Sequence, residues 1–371
     1  MSSGGACYTA PVQHSLQLVT GRLDLAVHRA ELPFGVLCGL AARRNPRRAF
    51  LFVSKVLGRH IPVRPSVMLD THARLARLIP ADLPGPVVVM GLAETAIALG
   101  QGVHAAWVRQ TGRDDAIYLH STRYRLDQPV AFTFEESHSH ASRHIVYRPT
   151  DPEVLALFRG ARSLVIVDDE ATTGATFVHL AEAFGGAVER IVCVTLTNWA
   201  QPFEMPAPTE IVSLLDGSFT FAPDPQATPP TMPNVIGNNE PKDHLLRRNR
   251  GRQGVREAID WAGTIPDLQA DERILVLGSG EFTWLPVCFA AKLEAAGADV
   301  WCQSTTRSPV QVGHDIAVRV DIPDNYGDGI PNFLYNFRRG DYDRVILCHE
   351  TPADLLPPAL LDVLGATSLE M

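Results

Sequence analysis

Residues 163–177, SLVIVDDEATTGATF, combine an apolar run, two acids and a threonine- and glycine-rich segment. Apolar residues 164–167 lead to two aspartates, Asp168 and Asp169, and helical spacing begins at Ala175 in ATFVHLAEAF. A short apolar run closed by a turn is typical of a buried strand, whereas apolar residues three and four positions apart indicate a helix. The two acids and the threonine- and glycine-rich segment are therefore predicted to lie where a strand passes into a helix.

This junction offers binding groups for two parts of one ligand. Backbone N–H groups and threonine hydroxyls at a helix N-terminus bind phosphate, assisted by the helix dipole, and Gly174 lets the backbone approach the anion closely. Asp168 and Asp169 can accept hydrogen bonds from vicinal sugar hydroxyls, or hold Mg²⁺ through its waters. A ligand with a phosphate about one sugar away from a diol is predicted. The alternative is an ordinary strand-to-helix turn in which Asp and Thr serve as caps.

Composition limits the class of protein. The chain has 371 residues, of which 46% are hydrophobic, and is long enough for two domains. Its net charge of -8 argues against a general nucleic-acid binder. The six cysteines form no CxxC pair, which favours neither a zinc site nor a disulfide framework and fits a reducing cytoplasm. The first residues show no signal-peptide pattern, and no apolar run approaches the roughly 20 residues of a membrane-spanning helix. A soluble cytoplasmic protein is predicted, with no membrane or nucleic-acid partner.

Apolar runs alternate with helical patterns in two separate sets, which is typical of parallel sheets covered by helices. The predicted strands are residues 49–58, 86–91, 116–124, 144–149, 163–169 and 190–199 in the first set, and 273–282, 298–309 and 343–352 in the second. The intervening segment is rich first in proline and then in arginine, and is interpreted as a connector. The predicted fold class is α/β, with a first domain at residues 1–205, a connector at 206–265 and a smaller Rossmann-like domain at 266–371.

Two motifs resemble those of a known family. VIVDDEATTGAT, residues 165–176, resembles the binding loop for 5-phosphoribosyl-1-diphosphate (PRPP) of type I phosphoribosyltransferases. QSTTRSP, residues 303–309, resembles the signature of the TRSP domain. That domain follows an orotate-phosphoribosyltransferase-like domain in proteins associated with tellurium-resistance and stress-response operons. The resemblance implies the type I phosphoribosyltransferase fold with an N-terminal hood, and a glycosyltransferase (pentosyltransferase) activity.

The resemblance also implies residue roles. Asp168 and Asp169 would face the ribose hydroxyls and hold Mg²⁺ through water. A second loop, at the end of the strand that stops near residue 91, would bind the diphosphate and in the family often contains a cis peptide; considered alone, it is an ordinary strand-to-helix turn. The 5′-phosphate loop is assigned to Ala171, Thr172, Thr173, Gly174, Ala175 and Thr176, and the diphosphate loop to Gly91, Leu92, Ala93 and Glu94.

Catalytic and acceptor-binding residues are predicted from position. Arg123 falls where orotate-type members direct a basic residue towards the diphosphate, which departs with negative charge. By the resemblance, residues 132–148 correspond to the loop that covers the site in type I enzymes, and the general acid or base candidates within it are Glu136, His138 and His140. Orotate-type enzymes carry lysine in this loop, so the resemblance does not extend to orotate as the acceptor. The candidates for binding the acceptor come from the basic segment 42–55 and are Arg43, Arg47 and Lys55.

Each of these assignments has a plainer alternative. Arg123 is alternatively an exposed surface arginine, the histidines belong to a polar loop, and the basic segment is a solvated face. The second domain is predicted to hold a phosphate site of its own, or to be a folded appendage or oligomer contact. The residues of that predicted second phosphate site are Gly278, Gly280, Thr305, Thr306, Arg307 and Ser308.

Two functions follow from the sequence. The first is a Mg²⁺-dependent phosphoribosyltransferase, which joins the ribose 5-phosphate of PRPP to an unidentified base-like small molecule and releases diphosphate. The product would be a nucleotide-like metabolite, and the resemblance implies a homodimer. The second is a non-catalytic sensor or regulator that binds PRPP or a nucleotide. Both acids, the complete TTG-x-T motif and Arg123 favour the enzyme, whereas Glu94 and the missing loop lysine favour the sensor.

Overall fold

The structure is a computed structural model that describes residues 6–43, 48–136, 143–186, 188–227, 237–238 and 240–371. The elements of the first domain are β1 (Ala6–Leu18), β2 (Gly21–Ala30), α1 (Phe34–Leu37), β3 (Cys38–Ala42), β4 (Phe50–Ser54), α2 (Pro65–Leu78), β5 (Val87–Gly91), α3 (Ala96–Thr111), β6 (Ala116–His120), β7 (Val130–Glu135), β8 (Arg143–Tyr147), α4 (Pro152–Arg159), β9 (Ser163–Ala171), α5 (Ala175–Phe184), β10 (Arg190–Asn198) and β11 (Thr209–Pro223). Those of the second domain are β12 (Arg273–Gly278), α6 (Trp284–Ala295), β13 (Asp299–Ser304), β14 (Arg319–Ile322), β15 (Asn332–Tyr335), β16 (Arg344–His349), α7 (Pro358–Leu364) and β17 (Thr367–Glu370).

The main sheet has the strand order β1-β2-β11-β10-β9-β5-β6. Strands β11, β10, β9, β5 and β6 run parallel to one another. The β1–β2 hairpin joins this group through β2, which is antiparallel to β11. Every residue of β5 is buried. Parallel strands that are covered on both faces consist of continuous apolar residues, and this pattern made strands such as β5 and β9 predictable from the sequence. The α/β prediction for the first domain is confirmed.

The β1–β2 hairpin was missing from the predicted strands. In β2, buried Leu23, Leu25 and Val27 alternate with more exposed residues, and Leu25 pairs with Phe219 of β11. Alternation of apolar and polar residues is the ordinary pattern of a strand with one covered face. The signal was therefore present in the sequence, although it differs from the continuous apolar runs of the parallel strands.

The second domain is a smaller parallel sheet of order β13-β12-β16-β17, in which α6 connects β12 to β13. This arrangement agrees with the prediction of a second, smaller α/β unit. Helix α6 also packs against α2 of the first domain. No helix among the described residues is long and apolar enough to span a membrane.

The predicted connector begins too early. Strand β11 lies within the predicted connector, yet it belongs to the main sheet, and Val212, Leu214 and Leu215 are buried in its core. The proline-rich composition on both sides obscured a strand whose apolar residues are inward-facing. The later, basic part of the segment is also structured: Val255 exchanges backbone hydrogen bonds with Tyr118 of β6 at 2.8 and 2.9 Å.

Several histidines are buried inside the protein, where burial disfavours their charged form. Burial lowers the pKa of His60 and His72 to about 3, and the pKa of His104, His120 and His144 to about 4. The ring of His72 shows the effect most simply, because burial is the sole cause of its lowered pKa.

We expect the free energy of unfolding to fall as the pH is lowered from about 6.5 towards 4. In the unfolded chain a histidine takes up a proton near its ordinary pKa of 6.5, whereas folded His72 does so near 3. Between these two pH values the unfolded state binds more protons than the folded state. The stabilising contribution of each buried neutral histidine is therefore fully present above about pH 6.5, and below that pH it falls by about 1.4 kcal/mol per pH unit. Urea unfolding at pH 7, 6 and 5 measures the slope. In His72→Leu the slope of the unfolding free energy against pH should be smaller by the contribution of one proton, about 1.4 kcal/mol per pH unit. An unchanged slope would contradict the lowered pKa of His72.

Candidate active site between two sheet edges

The carboxyl edge of the main sheet faces the carboxyl edge of the second domain's sheet. Thr122 and Arg123 follow β6, and both donate hydrogen bonds to the Glu281 carboxylate after β12, at 2.5 and 2.7 Å. A pocket of about 1330 Å³, including its open mouth, lies beside this contact. Its walls come from the β3–β4 hairpin, the segments that follow β5, β6 and β9, Glu136 and His144 of the β7–β8 region, and residues 306–308 of the second domain.

The junction between β9 and α5 forms one wall of the pocket. Thr172, Thr173 and Thr176 line it, and Thr173 Oγ1 accepts a hydrogen bond from the Ala175 N–H at 3.3 Å. Gly174 has a φ of +79°, and a Cβ there would lie 2.3 Å from the ring of Phe203. The structure thus adds two reasons for glycine, a left-handed backbone and a ring packed against it. The ten-residue helix α5 begins at this wall, and the N-terminus of a helix favours anions.

Asp168 and Asp169 lie at the end of β9, where they line the pocket next to Glu170. The Asp169 N–H donates to Asp168 Oδ1 at 2.9 Å. Burial and the neighbouring carboxylates raise the pKa of both aspartates above the usual range. Glu170 is instead paired with Arg48 at 2.5 Å. The two carboxyl groups disfavour each other's ionisation, and a bound cation would favour their charged forms.

The loop after β5 forms another wall of the pocket, lined by Leu92, Ala93 and Glu94. The cis peptide implied by the resemblance is present, at Ala93–Glu94. The Glu94 carboxylate pairs with Arg59 and with Arg307, whose Nε donates to Glu94 Oε1 at 2.8 Å. Burial by itself would raise the pKa of Glu94, but Arg307 and Arg59 together lower it to about 2. The loop therefore carries an ionised carboxylate held between two guanidinium groups.

A chain of hydrogen bonds connects this loop to Glu136. Arg123 Nη2 donates to Glu136 Oε2 at 2.7 Å, and His144 Nε2 lies 3.4 Å from the same oxygen. His144 Nδ1 is 2.8 Å from Ser121 Oγ, which accepts from the Ala93 N–H at 3.0 Å. Since the ionised Glu136 carboxylate can only accept, Nε2 of the neutral His144 ring carries the proton, and Nδ1 accepts from the Ser121 hydroxyl. Burial would raise the pKa of Glu136, but His144 and Arg123 hold it well below its usual range.

Some of the predicted site residues reach this pocket and some do not. Lys55 pairs with Asp315 at 2.8 Å and is not among the described lining residues, so the structure does not support its acceptor-binding role. Gly91, Ala175, Gly278, Gly280 and Thr305 lie near the pocket without lining it. The predicted roles of Arg47, His138 and His140 concern positions outside the described residues. The predicted residues that do line it are Arg43, Leu92, Ala93, Glu94, Arg123, Glu136, Asp168, Asp169, Ala171, Thr172, Thr173, Gly174, Thr176, Thr306, Arg307 and Ser308.

Several residues that line the pocket were missed from the sequence as site residues. Arg48 and Glu170 lie next to predicted residues, and the basic segment and the acidic run were the available signals. Arg59 and His60 follow β4 in no recognisable motif, and no sequence signal could have identified them. Among the described residues, no cluster of three or more His, Cys, Asp or Glu side chains is arranged to hold a metal ion.

A parallel sheet in which β9 ends in two acids and a TTG-x-T turn, beside the strand-to-helix loop after β5, is the arrangement of the phosphoribosyltransferase class of pentosyltransferase. Residues 37–218 match the family model described as phosphoribosyl transferase, and residues 247–364 match the TRSP domain described as C-terminal to it. The chain therefore belongs to the family that joins a phosphoribosyltransferase domain to a TRSP domain, and the two matches together cover most of its length.

Comparisons with solved structures found adenine phosphoribosyltransferases. One, from Rhodothermus marinus, is 13% identical, with a TM-score of 0.30, over 48% of this chain and 95% of the other. Another, from Trypanosoma brucei in complex with AMP, pyrophosphate and ribose-5-phosphate, is 12% identical, with a TM-score of 0.33, over 49% of this chain and 78% of the other. A comparison with curated proteins gave no match.

Proposed function

We propose that the first domain transfers ribose 5-phosphate from PRPP to a base-like acceptor and releases diphosphate. The observation that carries this proposal is the convergence of three elements on one pocket: the turn at 171–176, the acids Asp168 and Asp169, and the loop at 91–94. Their order matches that of a ligand with a phosphate, a sugar diol and a second anionic group. A role in a cytoplasmic stress response and a homodimeric state belong to the same proposal.

The acids suit a divalent cation as well as a sugar. Among the described residues, neither Asp168 nor Asp169 forms an ion pair with a basic side chain, and both offer only oxygen ligands, which Mg²⁺ prefers. With two protein carboxylates, the remaining ligands would be waters and substrate oxygens, as is usual for Mg²⁺. When bound, Mg²⁺ would make the diphosphate a better leaving group by neutralising its charge.

The reaction breaks the bond from C1 of the ribose to a diphosphate oxygen and forms a bond from C1 to the acceptor. The bonding pair leaves with the diphosphate, and the sugar develops positive charge. The protein contributes positioning and electrostatic stabilisation. Ionised Glu136 is suited to accept the proton that the acceptor loses, because Arg123 and the His144 Nε2–H orient its carboxylate. Arg43 and Arg48 of the hood line the side left for the acceptor.

Calorimetric binding of PRPP, with and without Mg²⁺, tests this function. We expect micromolar, Mg²⁺-dependent binding that is lost in Asp168→Asn/Asp169→Asn, because the amides remove the negative charge that faces the metal and accepts from the ribose hydroxyls. Glu182→Gln on α5 is a control outside the pocket. Screening heterocycles for diphosphate release would then identify the acceptor.

Two outcomes would change the conclusion. If the wild-type protein bound no PRPP, the transferase proposal would be wrong. If PRPP bound as expected but no heterocycle caused release of diphosphate, the sensor or regulator would be favoured instead.

A further inference from the structure

The segment after β13 contributes a single side chain to the contact with Glu94. Thr305 Oγ1 accepts from the Gly280 N–H at 2.9 Å, and Thr306 Oγ1 accepts from the Ser308 N–H at 3.1 Å. Both threonine hydroxyls therefore help to shape the second domain's own turns. Arg307 extends out of this segment into the first domain's pocket, where it is 8% exposed.

The second domain also positions an arginine of the first domain. Arg59, which is 3% exposed, donates from Nη1 to the Gly280 carbonyl at 2.8 Å and to Ser304 Oγ at 3.2 Å. Its Nη2 is left to pair with Glu94. Both guanidinium groups at the loop after β5 thus depend on the second domain: Arg307 belongs to that domain, and Arg59 is oriented by hydrogen bonds to it.

The charge at this point suits a multiply charged anion. Arg59 and Arg307 converge on one carboxylate, and Arg307 Nη2 is a buried donor with no hydrogen-bond partner among the described residues. Arg307 Nη1 lies 3.5 Å from Asp328, which is also paired with Lys242 at 3.0 Å. A buried guanidinium with an unused N–H favours a ligand that brings further acceptor oxygens, as a diphosphate does.

We propose that Arg307 of the second domain binds the diphosphate group of the first domain's substrate, together with Arg59, and that Glu94 occupies these two arginines until the diphosphate replaces it. This inference rests on the proposed function. It makes the TRSP domain a part of the transferase site, in place of a separate phosphate site. The second domain would then be needed for PRPP binding, and Glu94 would compete with the substrate for the two arginines.

The test compares three ligands by calorimetry in the presence of Mg²⁺: PRPP, pyrophosphate and ribose 5-phosphate. In Arg307→Ala, PRPP and pyrophosphate should bind roughly 10- to 100-fold more weakly, since a charge-assisted hydrogen bond contributes about 1.5–3 kcal/mol. Ribose 5-phosphate, which lacks the diphosphate, should bind as it does to the wild type. Arg307→Lys should recover part of the loss. Arg319→Ala, which removes a second-domain arginine paired with Asp321 outside the pocket, should change none of the three.

A second variant, which is expected to bind pyrophosphate more tightly, keeps the proposal testable if Arg307→Ala does not fold. Glu94→Gln should strengthen pyrophosphate binding several-fold, because it removes the competing carboxylate. Weaker binding to Glu94→Gln, unchanged pyrophosphate binding to Arg307→Ala, or an equal loss of ribose 5-phosphate would each overturn the inference. Failure of the wild type to bind PRPP while it binds pyrophosphate would refute the proposed function alone. Failure to bind either ligand would refute both.

Discussion

Replacing Glu281 with alanine should lower the free energy of unfolding by about 3–5 kcal/mol, the usual cost of breaking a buried ion pair. The Glu281 side chain is fully buried where the two domains meet. Its carboxylate accepts hydrogen bonds from the Thr122 hydroxyl, the Arg123 N–H and Arg252 Nη2, the last at 3.2 Å. The alanine variant leaves two donors of the first domain without an acceptor.

Urea unfolding at pH 7 measures this loss, and the chain offers a matched control. Glu153 forms an exposed ion pair with Arg256 at 2.6 Å, so Glu153→Ala should cost less than about 1 kcal/mol. Because the Arg123 backbone is held by Glu281, PRPP binding should also weaken in Glu281→Ala. Equal unfolding midpoints for the two variants would show that the buried carboxylate does not hold the domains together.

Replacing Gly174 with alanine should weaken the binding of PRPP and of ribose 5-phosphate by about 100-fold. A non-glycine residue in the left-handed region costs about 1–2 kcal/mol, and the added Cβ would lie 2.3 Å from the Phe203 ring. Relief of this contact requires the turn or the ring to move. A displaced turn loses charge-assisted hydrogen bonds to the phosphate, each of which contributes about 1.5–3 kcal/mol.

A substitution at Gly112 distinguishes the cost of the left-handed backbone from the cost of the contact with Phe203. Gly112 has a φ of +69° at the end of α3, and a Cβ there would meet no heavy atom within 4 Å. Gly112→Ala therefore carries the backbone cost alone and should leave ligand binding unchanged. Removal of the ring in Gly174→Ala/Phe203→Ala should restore part of the binding. The same loss of ribose 5-phosphate binding in Gly112→Ala and Gly174→Ala would contradict the role assigned to the Phe203 contact.

The strands that consist of continuous apolar runs were predictable because their signal is local. Residues 163–169 and 273–282 each contain a continuous apolar run that ends at a polar or glycine-rich turn, and the structure places strands β9 and β12 there. The order of acids, threonines and glycine after β9 is likewise local, which made the phosphate turn recognisable. Strand β11 was missed because its apolar residues are surrounded by proline-rich sequence.

The meeting of residues from both domains in one pocket could not be predicted in this way. Arg307 contacts Glu94 across 213 positions of the chain, and Glu281 contacts the Arg123 N–H across 158. No periodicity connects residues so far apart, because such contacts depend on how two independently formed sheets pack against each other. The same packing directs Lys55 to Asp315, away from the pocket that its basic segment was predicted to serve.

The sequence by itself determined the two α/β units and the phosphate turn with its two acids, since each arises from the spacing of neighbouring residues. Only the tertiary structure decided that the carboxyl edges of the two sheets face each other, and that Arg59 and Arg307 meet at Glu94. Val63, Met68 and Ala98 of the first domain pack into one apolar cluster with residues of the second, and such packing depends on surfaces that form only after the chain has folded.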